Sequence, residues 1–143
     1  MTLQILWGSI VLTICSIVHL ALIVVWVSIL KRHALHKADT SSVLNLVFPV
    51  CGTFALLVFS HTIQVWVWAA FLLTLSALPN MFDAIYFSLV TYTTLGYGDV
   101  TLASDFKIFG AMAAVTGLLN FGLSTAFLVA VISKALPNHL GND

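Results

Sequence analysis

Gly96 and Gly98 stand two apart in the run Thr93-Thr94-Leu95-Gly96-Tyr97-Gly98-Asp99, the stretch whose residue types and spacing best suit chemistry. Glycine enters backbone conformations closed to other residues. Alternating it with Leu95 and Tyr97 lets successive carbonyls point one way while the larger side chains pack outward. Four copies around an axis would stack those oxygens into rings able to replace the hydration shell of a cation. The chain has no nucleophile–base constellation and no phosphate loop, so an enzyme is not expected. His33 and His36, three apart, are too few ligands to argue for zinc.

A non-helical, glycine-rich segment at membrane depth leaves backbone groups without partners, unless it lines a path filled with water or ions. The residues before it supply the means of holding it there. Ala77-Leu78-Pro79-Asn80 is a turn signal. Asn80 can cap a helix that begins at Met81, with Asp83 in its first turn to complement the dipole. Such a helix, from about 81 to 93, is about 20 Å long and crosses only part of a membrane. Its negative end would point at a central cavity, where the dipole favours a cation.

The remainder of the chain is suited to lipid. It is 61% hydrophobic and 7% charged, against about 25% charged in soluble domains. Its net charge of zero offers no field for nucleic acid, and no small-molecule substrate is evident. Residues 1–30 form one apolar run, with Trp7 and Trp26 about 28 Å apart if helical, which matches a hydrocarbon core between aromatic belts. Residues 31–42 hold three of the five Lys and Arg residues, Lys31, Arg32 and Lys37, together with His36 and Asp39. The positive-inside rule assigns this loop to the cytoplasm and the N-terminus to the outside.

A second apolar run, 41–78, is too long for one upright span and contains Pro49. Proline removes a backbone donor and disfavours helix at the residue before it. The preferred reading is a short interfacial segment, 43–48, leading into an outer helix over about 49–76. The other is one long helix kinked at Pro49, its outer end marked by Trp66 and Trp68. A last span over about 105–133 is followed by Lys134 and a short cytoplasmic tail, 135–143. The fold class is therefore an all-α membrane protein. It has three transmembrane helices plus a re-entrant half-helix and loop, with residues 43–134 forming one pore module.

The stretch Phe87-Ser88-Leu89-Val90-Thr91-Tyr92-Thr93-Thr94-Leu95-Gly96-Tyr97-Gly98-Asp99 closely resembles the pore signature of the potassium channel family. Gly117-Leu118-Leu119-Asn120-Phe121-Gly122 resembles that family's inner helix. The resemblance runs from about Asn80 to Ile132, and the whole chain looks like a small prokaryotic channel protein with one helix added before a two-helix pore. It implies a homotetramer in membrane lipid, with potassium as the permeant ion and no other cofactor. The carbonyls of Thr94, Leu95, Gly96 and Tyr97, with the Thr94 hydroxyl, would coordinate the ions along a filter of residues 94–98. Asp99, with Tyr86 and Thr93, would support that filter. Many members have a tryptophan where this chain has Tyr86, and some have a glutamate where it has Val90, so the bracing network is expected to be thinner. Gly117 stands where the family has a hinge glycine.

Along the last helix, Leu118, Phe121, Thr125, Val129 and Ile132 recur at spacings of three and four. By the same resemblance they would line the pore, with Val129 and Ile132 as a dewetting constriction. Gly122 is a candidate for close helix contact. Asn120 must find a partner within the span, either at the cavity or at a subunit interface. His19 and His61 are ionisable residues in apolar runs and are candidates for pH sensing or for simple pairing with backbone or Gln64. Cys15 and Cys51 read as small buried hydrophobes. Two other classes stay open. A weakly selective cation channel is disfavoured by the intact Gly96-Tyr97-Gly98-Asp99, and a nonconducting accessory subunit by the intact filter. No arginine-rich voltage sensor is present in the first helix.

Overall fold

The computed structural model describes residues 2–35 and 44–135, without the side chains of 33–35, 44–46 and 135. The described residues form four α-helices: α1 (Thr2–Leu35), α2 (Leu44–Thr74), α3 (Met81–Tyr92) and α4 (Lys107–Ala135). Three stretches are long and apolar enough to cross a membrane, Thr2–Arg32, Val47–Thr74 and Lys107–Lys134. The chain is an all-helical membrane protein. His36, Lys37 and Asp39 of the expected basic loop, and the tail beyond 135, lie outside the described residues.

α2 is unbroken from Leu44 to Thr74, with Pro49 inside it. This corrects the expectation of a separate interfacial segment before Pro49. The reason is local. Pro49 stands in the second turn, where only one intrahelical bond is forfeited. Thr53 then donates to the Pro49 carbonyl at 2.6 Å, and the Trp26 indole N–H donates to Thr53 Oγ1 at 2.8 Å. The Trp26 ring lies where a side chain on Gly52 would stand, so α1 and α2 meet closely at this level.

α2 ends in a tight left-handed cap. Ser76 has φ 54°, with Ser76 N–H donating to the Leu73 carbonyl and Ala77 N–H to that of Leu72, both at 2.9 Å. Trp68 is not an interface marker: it is fully buried, its ring 5.2 Å from that of Phe109, whereas Trp66 is exposed.

α1 runs parallel to α4 and antiparallel to α2. Gln4 Oε1 accepts the N–H groups of Ile108 and Phe109 at the start of α4, and fifteen residues further along α1, His19 reaches Ser124. Those two amides belong to the first turn, which has no intrahelical partner. The start of α4 is thus capped from another helix, while Asp105 stays exposed. A core of Val11, Trp68, Leu72, Tyr92, Phe109 and Ala113 joins all four helices. Around it the long helices keep large apolar residues exposed, among them Leu3, Leu6, Ile17, Phe54 and Phe59. Helices apolar on every face suit a protein core on one side and lipid on the other. Cys15 is buried, but Cys51 is exposed, because α2 turns that face outward.

Candidate functional site

The half-helix α3 is set by its cap. Asn80 is extended at φ −150° and ψ 165°, and its side chain accepts the Asp83 N–H at 2.9 Å while donating to the Asp83 carboxylate at 2.9 Å. Twelve residues make α3 about 18 Å long. Its last turn is tied down from the far side as well. The Thr93 hydroxyl and N–H both donate to the Leu89 carbonyl, at 2.8 and 3.1 Å.

Beyond Thr93 the backbone alternates in hand. Thr94, Gly96 and Gly98 have φ of 61°, 59° and 78°, while Leu95 and Tyr97 between them do not enter that region. Alternating mirror-related conformations turn successive N–H groups to one side of a strand and carbonyls to the other. The N–H side here faces α3: Leu95 and Gly96 both donate to the Val90 carbonyl, at 2.9 and 3.2 Å. A β-carbon at Gly96 or Gly98 meets nothing within 4 Å, so glycine is required there for its backbone angle and not for space. The expected residues 94–98 are thus brought together on one exposed strand. Leu95 is 54% and Tyr97 68% exposed, which leaves two large side chains without cover in the single chain.

After this strand the Tyr86 hydroxyl donates to Asp99 Oδ2 at 2.5 Å, and the Val100 N–H donates to Asp99 Oδ1 at 3.1 Å. The bond from Tyr86 holds the Asp99 carboxyl below its ordinary range. Val90 offers no second acid. Instead a cavity of about 280 Å³ lies behind the strand, lined by Tyr86, Val90, Thr91, Asp99 and Lys107 among others.

The expected stripe on α4 falls on the open side of the chain. Leu118, Phe121, Thr125 and Val129 are exposed and Ile132 half-buried. Phe121 also stacks on His61, with ring centres 4.4 Å apart. Gly117 has a different surrounding from that of a free hinge. A β-carbon there would meet the Tyr92 carbonyl, so the inner helix presses its backbone against the end of α3. A β-carbon at Gly122 would meet nothing within 4 Å among the described residues. Asn120 is buried and donates to Gln64 Oε1 at 2.6 Å, so it serves neither of the two expected places. It belongs to a polar cluster behind α3, which also holds His19, His61 and Ser124. The sequence shows these only as isolated polar residues in three apolar runs. The one available signal is the rule that each must find a partner.

A sequence family described as ion channel matches residues 46–134, more than half of the chain. The chain belongs to this ion channel family, with α1 preceding the matched region. It is also similar to a protein of Methanocaldococcus jannaschii (strain ATCC 43067 / DSM 2661 / JAL-1 / JCM 10045 / NBRC 100440) named hyperpolarization-activated voltage-gated potassium channel, with 40% identity over 48 residues. That stretch covers 31% of this chain and 23% of the relative, so the chain spans well under two thirds of the relative's length. No solved structure matches the chain.

Proposed function

We propose that the chain is one subunit of a homotetrameric, potassium-selective channel, with the carbonyls of Thr94, Leu95, Gly96 and Tyr97 and the Thr94 hydroxyl as ion ligands. The observation that carries this reading is the alternating hand at Thr94, Gly96 and Gly98, with the Leu95 and Gly96 N–H groups folded back onto Val90. Amides held against α3 leave carbonyls free on the opposite side, where an ion needs them. One strand does not surround an ion, and the exposed Leu95 and Tyr97 call for cover from neighbours. A ring of four identical chains meets both needs.

The Tyr86–Asp99 bond braces the outer end of the filter. Leu118, Phe121, Thr125, Val129 and Ile132 line the route below it, and Val129 with Ile132 form its narrow end. α1 starts on the filter side and carries Lys31 and Arg32 at its other end, which supports an outside N-terminus and a cytoplasmic C-terminus. The relative's name, a potassium channel, agrees with the ion proposed here.

A second reading, a weakly selective cation channel, draws on the cavity behind the filter, where Val90 leaves Tyr86 as the brace on Asp99. Flux from liposomes containing the purified protein separates the two. Potassium efflux far above sodium efflux, abolished in Gly96→Ala, supports the first reading. Equal effluxes support the second. No flux from a correctly assembled protein would point to an accessory subunit.

A further inference from the structure

The polar cluster behind α3 forms a closed circuit, and its direction can be worked out from donor and acceptor chemistry. Gln64 fixes it. One end of its amide lies 3.4 Å from the Ser60 carbonyl, which only accepts, so that end is the NH₂. The same NH₂ lies 3.3 Å from His19 Nδ1, which must therefore be unprotonated. The Ser60 hydroxyl, 2.7 Å from that nitrogen, also donates to it. His19 then carries its proton on Nε2 and donates to Ser124 Oγ at 3.1 Å. Ser124 accepts there with one of its two lone pairs and donates its own proton onward to His61 Nε2 at 2.9 Å, since Gln64 Oε1 obliges Tyr92 to donate to it and so leaves the His61 proton on Nδ1.

His61 in turn carries its proton on Nδ1 and donates to the Tyr92 hydroxyl at 2.8 Å. Tyr92 donates to Gln64 Oε1 at 3.0 Å, where Asn120 also donates at 2.6 Å, and the circuit closes. It passes through α1, α4, α2 and α3. Every donor has an acceptor on one condition: both histidines are neutral. A proton added to His61 Nε2 would take away the lone pair onto which the Ser124 hydroxyl donates. A proton added to His19 Nδ1 would face the Gln64 NH₂.

Tyr92 is where the circuit meets the ion path. It is the last residue of α3 and lies two residues before Thr94. Its side chain is in the circuit, while its carbonyl abuts Gly117 on the inner helix. Phe121, on the exposed stripe of α4, packs against both His61 and Tyr92.

We infer that His19, on the helix that precedes the channel module, is a positioning residue for the filter. It acts through this closed circuit onto Tyr92, and the circuit holds only while His19 and His61 are both neutral. The inference rests on the filter reading proposed above. The other titratable groups near the circuit are few. Among the described residues, Cys15 on α1 is buried within electrostatic reach of Tyr92, which is the titratable group that α3 brings to the circuit, its Asp83 and Tyr86 lying elsewhere, and α4 contributes the uncharged Asn120 and Ser124. Charged side chains on the four helices sit at their ends, at Lys31, Arg32, Asp83, Lys107 and Lys134.

The test is the ratio of potassium to sodium flux in liposomes at about pH 8 and about pH 4, on either side of the range over which histidine changes charge. Wild-type protein should lose about tenfold of its ratio at the lower pH and regain it on return, the size of effect expected when one buried hydrogen bond is undone. Tyr92→Phe and His19→Leu should show about a tenfold lower ratio already at the higher pH, with little further change on acidification. His19→Gln, which keeps a donor toward Ser124, should recover part of what His19→Leu loses. Elution of each variant at the wild-type size keeps a folding failure from passing as a result.

Asp99 contributes little to the measured change, since its carboxyl is held below the ordinary range. A selective wild type whose ratio ignores pH, or variants within about twofold of wild type at both values, overturns the inference and leaves the filter reading standing. A wild type that does not distinguish the two ions at about pH 8 overturns both.

Discussion

Tyr86 and Asp99 form the brace nearest the proposed ion path, and its pH dependence follows from the direction of the Asp99 shift. The bond from Tyr86 lowers the carboxyl from its ordinary 3.8 in the folded chain. A lowered folded value means that the bond favours the folded state above the unfolded carboxyl value, and that this contribution is lost as pH falls through the folded value. Tyr86→Phe should therefore move the Asp99 titration back up toward 3.8, as read by NMR of the labelled carboxyl. It should also make potassium flux decay faster after a gradient is imposed. At Gly117 the expectation is steric. A methyl there runs into the Tyr92 carbonyl, so Gly117→Ala should destabilise the protein by about 1–3 kcal/mol, seen as a lower thermal midpoint. An unchanged midpoint would mean that α3 and α4 part at no cost.

At the scale of elements, α1 is tied to the channel module at three levels: Gln4 at the start of α4, His19 in the middle, and Trp26 on Thr53 near the other end. Gln4→Met keeps the length of the side chain and removes the acceptor for two first-turn amides. It should cost about 0.5–2 kcal/mol, comparable to losing a helix cap, measurable as a fall in the thermal midpoint. The elements themselves were readable because each has a strong local signal. Long apolar runs gave the spans, and Asn80 with Asp83 gave the half-helix and its cap. Gly96 and Gly98 announced the left-handed turns, although Thr94, which shares that conformation, did not. The continuity of α2 through Pro49 was not readable, since propensity at the proline favours a break and tertiary bonds through Thr53 and Trp26 outweigh it. Nor was the circuit. Its members lie up to 105 residues apart, and nothing in the spacing of His19 and Ser124 says that they share a hydrogen bond. Gly117 was visible as a glycine in a helix, but only the packing of α4 on α3 shows what it admits.

For the whole molecule, the proposed function has the exposed residues 94–98 and the row of exposed residues along α4 covered by neighbouring copies. The assembled protein in detergent should weigh about 62 kDa, four copies of a 15.5 kDa chain, by light scattering corrected for bound detergent. A monomer or dimer that still conducts would contradict the ring of four. The preference of the proposed carbonyl rings for potassium is read from the reversal potential of the purified protein in a planar bilayer, with potassium on one side and sodium on the other. A large potential of the sign set by potassium alone is expected, because the carbonyls of Thr94 to Tyr97 would replace the hydration shell of one ion better than that of the other. A potential near zero, with current flowing equally in both directions, would contradict it.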